Sequence, residues 1–292
     1  MTTALTDSHR ARLLREGTEV ELPGLEDVLT GDPLFRAESP EGLLVLTVAG
    51  AQLPARMLEQ VYRFRLVQYL RRGWVDEAAV AALALHTEPY DDFALRDFHT
   101  LVVERSTGLL RGYGTLAAAR DHTPTPLGDP GHRPYVIERD YGLSLADHLG
   151  PETSSAVVWE GKRLVRDFAM PRSQAAVTVP WWVYLAWAAG CLEVLDSDPN
   201  AAIVGDGKLE GAVNQLRLLG FATRTLLDTT PVPPDPADLF APMWDQEERS
   251  YPFVLTDEGA LRPTLEYLRE LLGSGHQGSV RTRLVDFLEA RA

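Results

Sequence analysis

Apolar side chains recur at spacings of three and four from Pro54 onward. Met57, Val61 and Phe64 form one series and Leu58, Tyr62, Leu66 and Tyr69 another, which predicts a helix to Arg72. Gly73 is placed to end it. A second helix, Val75 to His86, is rich in Ala and Leu. The β-branched run Asp97 to Glu104, the polar turn RSTG and the run LLRGYGTLAA then read as a β-hairpin. A Pro- and Gly-rich loop from Asp121 to Pro134 leads to a short helix around Ser144 to Leu149. SSAVVWEGKRLVRD is a strand, and Pro180 is read as opening a long apolar helix to about Leu195.

Beyond that helix, AAIVGDG is a short buried strand, LEGAVNQLRLLG a helix closed by Gly220, and FATRTLL another strand. TTPVPPDPAD marks a loop or boundary, and YPFVLT a strand. Two amphipathic helices follow, around Leu261 to Leu272 and Val280 to Ala290. The first 50 residues hold short apolar pieces broken by Gly and Pro, with a strand at Leu43 to Val48. The organisation expected is therefore an N-terminal extension over 1–54, an α/β core over 55–228 and a C-terminal segment over 229–292 packed on that core.

Composition narrows the function. Forty-five per cent apolar content in 292 residues excludes a disordered chain. The net charge of -14 disfavours a nucleic-acid partner. The longest apolar stretch, Trp181 to Val194, contains Glu193 and falls short of the roughly 20 residues that span a bilayer. No secretory pattern opens the chain, so a cytoplasmic protein is expected. The single cysteine, Cys191, has no disulfide partner and reads as a core residue. Metal-ligand spacings of Cys and His are absent.

Three segments give the α/β order a sharper meaning. VVWEGKRLV resembles the W-E-x-S-R strand of acyl-homoserine lactone (autoinducer) synthases, with Trp159, Glu160 and Arg163 at matching places and Lys162 in place of serine. EPYDDFALRDFHTLV resembles the D-x-Y-D segment of that family, Asp91 being the matching aspartate. LEGAVNQLRLLGFATRTL has the cadence of the last helix and strand of the GNAT acyltransferase fold. The resemblance implies a GNAT-like mixed central sheet with a splayed cleft, flanked by helices. It also implies amide formation from an acyl-pantetheine thioester, in the autoinducer-synthase or N-acyl amino acid synthase branch. At the hairpin, where the family has R-L, this chain has Thr115 and Leu116, so the product is not carried over.

Amide formation needs an amine held near the thioester carbonyl carbon, an acceptor for its proton, and donors facing the developing oxyanion. Glu160, on a strand otherwise of Val, Trp, Gly and Leu, is the candidate base, with Arg163 beside it. The competing reading is a salt bridge from Glu160 to Lys162 or Arg163. Three residues apart, Glu160 and Arg163 share a face of the strand only if a bulge intervenes, and Gly161 is the expected place for one. Trp74, Tyr90, Asp91 and Asp92 lie where the resemblance places the acceptor site, and Thr115 occupies the hairpin position of the family's arginine. His99 faces either the cleft or, the better reading, the core, while Trp181 packs its helix or walls an acyl pocket.

RDFAMPRSQAAVTVP has none of the glycines with which CoA-using members of the fold hold a pyrophosphate, which favours an acyl carrier protein as donor. Arg63, Arg65, Arg71 and Arg72 on the first helix, with Arg166 and Arg172, would supply its basic docking patch, and Phe168 and Met170 would line the pantetheine arm. No permanently bound cofactor or metal is expected. The alternatives are an acyl-CoA-dependent GNAT acyltransferase and a catalytically idle module of the same fold.

Overall fold

The structure, a computed structural model, describes residues 9–15, 20–245, 249–275 and 278–291. Parts of the expected N-terminal extension, residues 1–8 and 16–19, lie outside the described residues. The chain forms two compact units that interleave along the sequence: 1–114, 163–183 and 233–247 in the first, 115–162, 184–232 and 248–292 in the second. These divisions do not follow the boundaries expected at 54 and 228.

In the first unit, β1 (Phe35–Glu38), β2 (Leu43–Ala49), β3 (Phe98–Glu104) and the start of β4 (Leu110–Ala117) lie in that order. β2 runs antiparallel to both neighbours it pairs with in register, Phe35 opposite Thr47 and Val45 opposite Val102. β2 was expected as an isolated strand of an extension and β1 not at all. Only four residues long, with Arg36 and Glu38 exposed, β1 is too short for its alternation to stand out.

Helix α1 (Ala55–Arg72) is buried over most of its length, from Met57 to Leu70. It ends as expected on Gly73 in the left-handed conformation (φ 64°), with the Gly73 and Trp74 amides donating to Leu70 and Tyr69 carbonyls. Helix α2 (Glu77–Ala82) starts on Asp76, whose side chain accepts from the Ala78 and Ala79 amides. A close backbone crossing joins the turns at 50–52 and 92–95: a Cβ on Gly50 would collide with the Ala94 carbonyl.

The second unit orders the start of β5 (Val158–Arg166), β6 (Ala202–Lys208), β8 (Ser250–Thr256) and β7 (Ala222–Thr225). β5 is parallel to β6, while β8 is antiparallel to both β6 and β7. Helices α3 (Val136–Tyr141), α5 (Asn214–Leu218), α6 (Leu261–Gly273) and α7 (Val280–Glu289) belong here. α3, absent from the sequence reading, starts on Tyr135 and carries Glu138, whose carboxylate accepts the Tyr135 and Leu145 amides.

β4, β5 and helix α4 (Gln174–Ser197) each run from one unit into the other along the chain. The expectation that Pro180 opens this helix is corrected: α4 begins six residues earlier, with Pro180 inside it. Proline cannot donate to the carbonyl four residues back. That carbonyl, of Ala176, instead lies 3.5 Å from an Arg166 guanidinium nitrogen. At 24 residues α4 is long and apolar enough to cross a membrane by length and composition, contrary to the expectation from Trp181 to Val194, and 67% of its most apolar window is buried.

Candidate functional site

Tyr62, Arg65 and Tyr69 of α1 and the loop after α2 assemble a buried polar cluster in the first unit. Arg65 and Glu88 are almost wholly buried, and an Arg65 guanidinium nitrogen donates to Glu88 Oε1 at 2.6 Å. Glu88 is seated by its own amide, which donates to the Tyr62 carbonyl at 3.1 Å. The Tyr62 ring covers Arg65 at 4.5 Å on one side and stacks on Tyr90 at 4.2 Å. Tyr90 is itself 45% exposed, so this stack is where the cluster comes nearest to solvent through an aromatic face.

The second cation comes from β5. Arg163 has φ 61°, a left-handed conformation that costs a non-glycine residue roughly 1–2 kcal/mol and breaks the alternation of the strand. Its Nε lies 3.8 Å from Glu88 Oε1, and its guanidinium packs 4.7 Å from the Phe240 ring and 5.4 Å from that of Tyr69. Among Arg65, Glu88 and Arg163 positive charge exceeds negative, and among the described residues Glu88 Oε2 meets no hydrogen-bond donor although it is buried. Burial alone depresses the Arg65 guanidinium, but Glu88 and the surrounding tyrosines carry its pKa above its ordinary value. Burial pushes the Tyr69 phenol up, and Glu88 pushes it further.

A turn at Asp167 and Phe168 adjoins this cluster. Asp167 receives Arg71 at 3.1 Å and Arg111 at 2.9 Å, and the Phe168 amide donates to Gln68 Oε1 at 2.9 Å. The Phe168 ring carries Arg72 at 5.1 Å and Arg166 at 5.6 Å, with Trp74 edge-on at 6.3 Å. Arg72, Arg166 and Arg172 are exposed.

Several expected site residues fall elsewhere. Glu160 is 2% exposed, bonded to Lys162 at 2.5 Å, and accepts the Ile137 and Val136 amides at 2.9 and 3.3 Å. It therefore anchors the first turn of α3, in the ion pair with Lys162 that was the competing reading of this residue: its oxygens are engaged by a cation and two amides, the nearby N–H groups bonding to the carboxylate. The backbone distortion expected at Gly161 is at Arg163 instead, because Gly161 is held under Trp187, where an added Cβ would come within 2.6 Å of the indole. Arg163 partners Glu88, not Glu160.

His99 is fully buried between the Tyr113 hydroxyl at 2.8 Å and the Ala94 carbonyl at 3.0 Å, so both ring nitrogens are taken and it belongs to the core. Arg65 and Arg71, expected in a docking patch, are withdrawn from it by Glu88 and Asp167. Thr115 is buried in the second unit and offers its carbonyl to Trp187. Asp91 caps the turn at 92–95, Asp92 is exposed beside it, and Trp181 and Met170 are half-buried. Glu88, Tyr62, Gln68 and Tyr69 were not singled out from the sequence. For the three on α1 the signal was a strip of polar and aromatic residues at 62, 65, 68, 69 and 72, at helical spacing.

Among the described residues no group of three or more His, Cys, Asp or Glu is placed to hold a metal ion. No family model and no curated protein matches the chain. Among solved structures it is similar to the CoA-dependent acyl-homoserine lactone synthase BjaI with MTA, at 16% identity and TM-score 0.46, over 82% of this chain and 96% of that one. It is also similar to the acyl-homoserine lactone synthase LasI (14%, TM-score 0.43, 76% of this chain and 94% of that one) and to Escherichia coli ElaA (9%, 0.36, 73% and 98%).

Proposed function

We propose that the chain is an N-acyltransferase that moves an acyl group from a pantetheine thioester, carried by an acyl carrier protein, to an amine acceptor. The observation that carries this reading is Glu88: a buried carboxylate with one oxygen held by Arg65 and the other unpartnered. A base so placed has a free lone pair in a water-poor site, where a hydrogen bond to an amine is strong. The amine nitrogen attacks the thioester carbon, the C–N bond forms, the nitrogen's proton passes to Glu88, and the C–S bond breaks to release a thiolate, which Glu88 then protonates to the thiol. Arg65 and Arg163, in excess over Glu88, suit an anionic group on the acceptor.

Arg72 and Arg166 around Phe168, with Arg172 beyond them, support a carrier as donor. A local basic patch on a chain of net charge -14 favours an acidic partner at that point rather than over the whole surface. Thiol release with acyl-carrier and with acyl-CoA, across a panel of amines, tests the reading. Glu88→Gln is expected to lower turnover by roughly 10²- to 10⁴-fold. Undiminished transfer by that variant sinks the assignment of the base, and equal or better use of the CoA ester sinks the carrier.

A further inference from the structure

Gln68 sits where the two halves of this proposed chemistry meet. Three residues after Arg65, it shares that residue's helix face, while its side-chain oxygen reaches the Phe168 turn. Gln68 Oε1 accepts from the Phe168 amide at 2.9 Å and from Arg71 Nη1 at 3.3 Å. Two donors on one end fix the orientation of the amide, since the reverse would set its NH₂ against both. Nε2 therefore faces the other way, and there it is buried without a hydrogen-bond partner among the described residues, in a residue of 0% exposure.

A buried, unpaired NH₂ destabilises a fold, so its place calls for an acceptor that arrives with the ligand. The charged groups nearby already answer to charge: Arg65 and Arg163 to an anion, Glu88 to an amine. A neutral donor on a side chain bonded to the Phe168 turn, one helical turn along α1 from Arg65, suits an oxygen that is neutral in the ground state and gains charge on attack.

We propose that the Gln68 side-chain amide is an oxyanion donor, hydrogen-bonded to the thioester carbonyl oxygen as the amine adds to its carbon. The proposal rests on the acyl-transfer reading. In the step it serves, the C=O π electrons move onto oxygen as the C–N bond forms and Gln68 Nε2–H stabilises that charge. The electrons return as the C–S bond breaks, with the amine proton on Glu88.

Gln68→Glu separates this from a role in seating Phe168, because a carboxylate oxygen still accepts from the Phe168 amide and Arg71 but no N–H remains. The expected result is kcat for thiol release lowered roughly 10²-fold, with donor KM near that of the wild type. Gln68→Glu with kcat within threefold of wild type overturns the proposal. Should that variant fail to fold, Gln68→Met serves: a comparable loss in kcat at unchanged donor KM supports the proposal, and a rise in KM with kcat retained overturns it. Absence of thiol release by the wild-type protein with every donor and amine is a different failure, since it removes the acyl-transfer reading itself.

Discussion

Arg65 and Glu88 meet at 2.6 Å across 23 residues of chain, and neither side chain has appreciable contact with water. Removing one member of such a pair leaves the other as an uncompensated buried charge, whereas removing both leaves only a packing problem. Glu88→Leu and Arg65→Met are each expected to destabilise the protein by about 3–5 kcal/mol, and the double variant by much less than their sum. Urea denaturation of the four proteins in the cycle measures the coupling. Additive losses would show that the pair contributes nothing as a pair.

Arg163 joins an unfavourable backbone conformation to a charge that faces Glu88. Glycine adopts φ 61° without steric cost, so Arg163→Gly should be as stable as the wild type or more so, within about 1 kcal/mol, while losing turnover. Arg163→Lys keeps the charge and the strain but not the planar fork, and should lie between the two in activity. Thermal melts set against thiol release distinguish the effects, and a markedly less stable Arg163→Gly would mean that the guanidinium holds the fold together.

Glu160 offers the opposite case. Glu160→Ala removes the acceptor for the Ile137 and Val136 amides and the partner of Lys162, and is expected to cost about 1–3 kcal/mol. Glu160→Gln, which keeps one acceptor oxygen, should retain turnover within a few-fold. A loss in Glu160→Gln as deep as that in Glu88→Gln would restore Glu160 as the base.

A pH dependence follows from Asp121. Burial pushes its carboxyl up, but the Arg133 amide, the Ser155 hydroxyl and the His132 ring outweigh burial and hold it below its ordinary value. A group depressed on folding contributes stability above its unfolded pKa and loses that contribution as pH falls through the folded value. Asp121→Asn should therefore be destabilised by about 1–2 kcal/mol at pH 7 and converge on the wild type in acid. A difference that stays constant from pH 7 to pH 3 contradicts the linkage.

Long elements with strong periodicity were legible in the sequence. α1 with its Gly73 stop, the β3 and β4 hairpin, β6, β8, α6 and α7 all appear close to where their patterns put them. What escaped were elements held by tertiary contacts. β1 exists because β2 offers it a partner, and α3 is short and anchored by Glu160 from another strand. The site was legible in part. Arg163 and Tyr90, singled out in the sequence, lie in the cluster around Glu88 and Tyr62, whereas Glu160 drew the role of base because an isolated carboxylate on an apolar strand looks the same whether its partners are a substrate or two amides. Glu88, between Thr87 and Pro89, carried no periodic signal, and only the fold shows that it meets Arg65.

The contact between Gly50 and the Ala94 carbonyl gives the loop at 88–95 a weakness remote from its chemistry. Any side chain at residue 50 must displace that carbonyl, which also holds the His99 ring, and Tyr90 and Glu88 lie just upstream on the same loop. A genetic screen for lost activity would then recover Gly50 beside Glu88, with a lesion that touches neither charge nor ligand and acts by tilting the floor on which both stand.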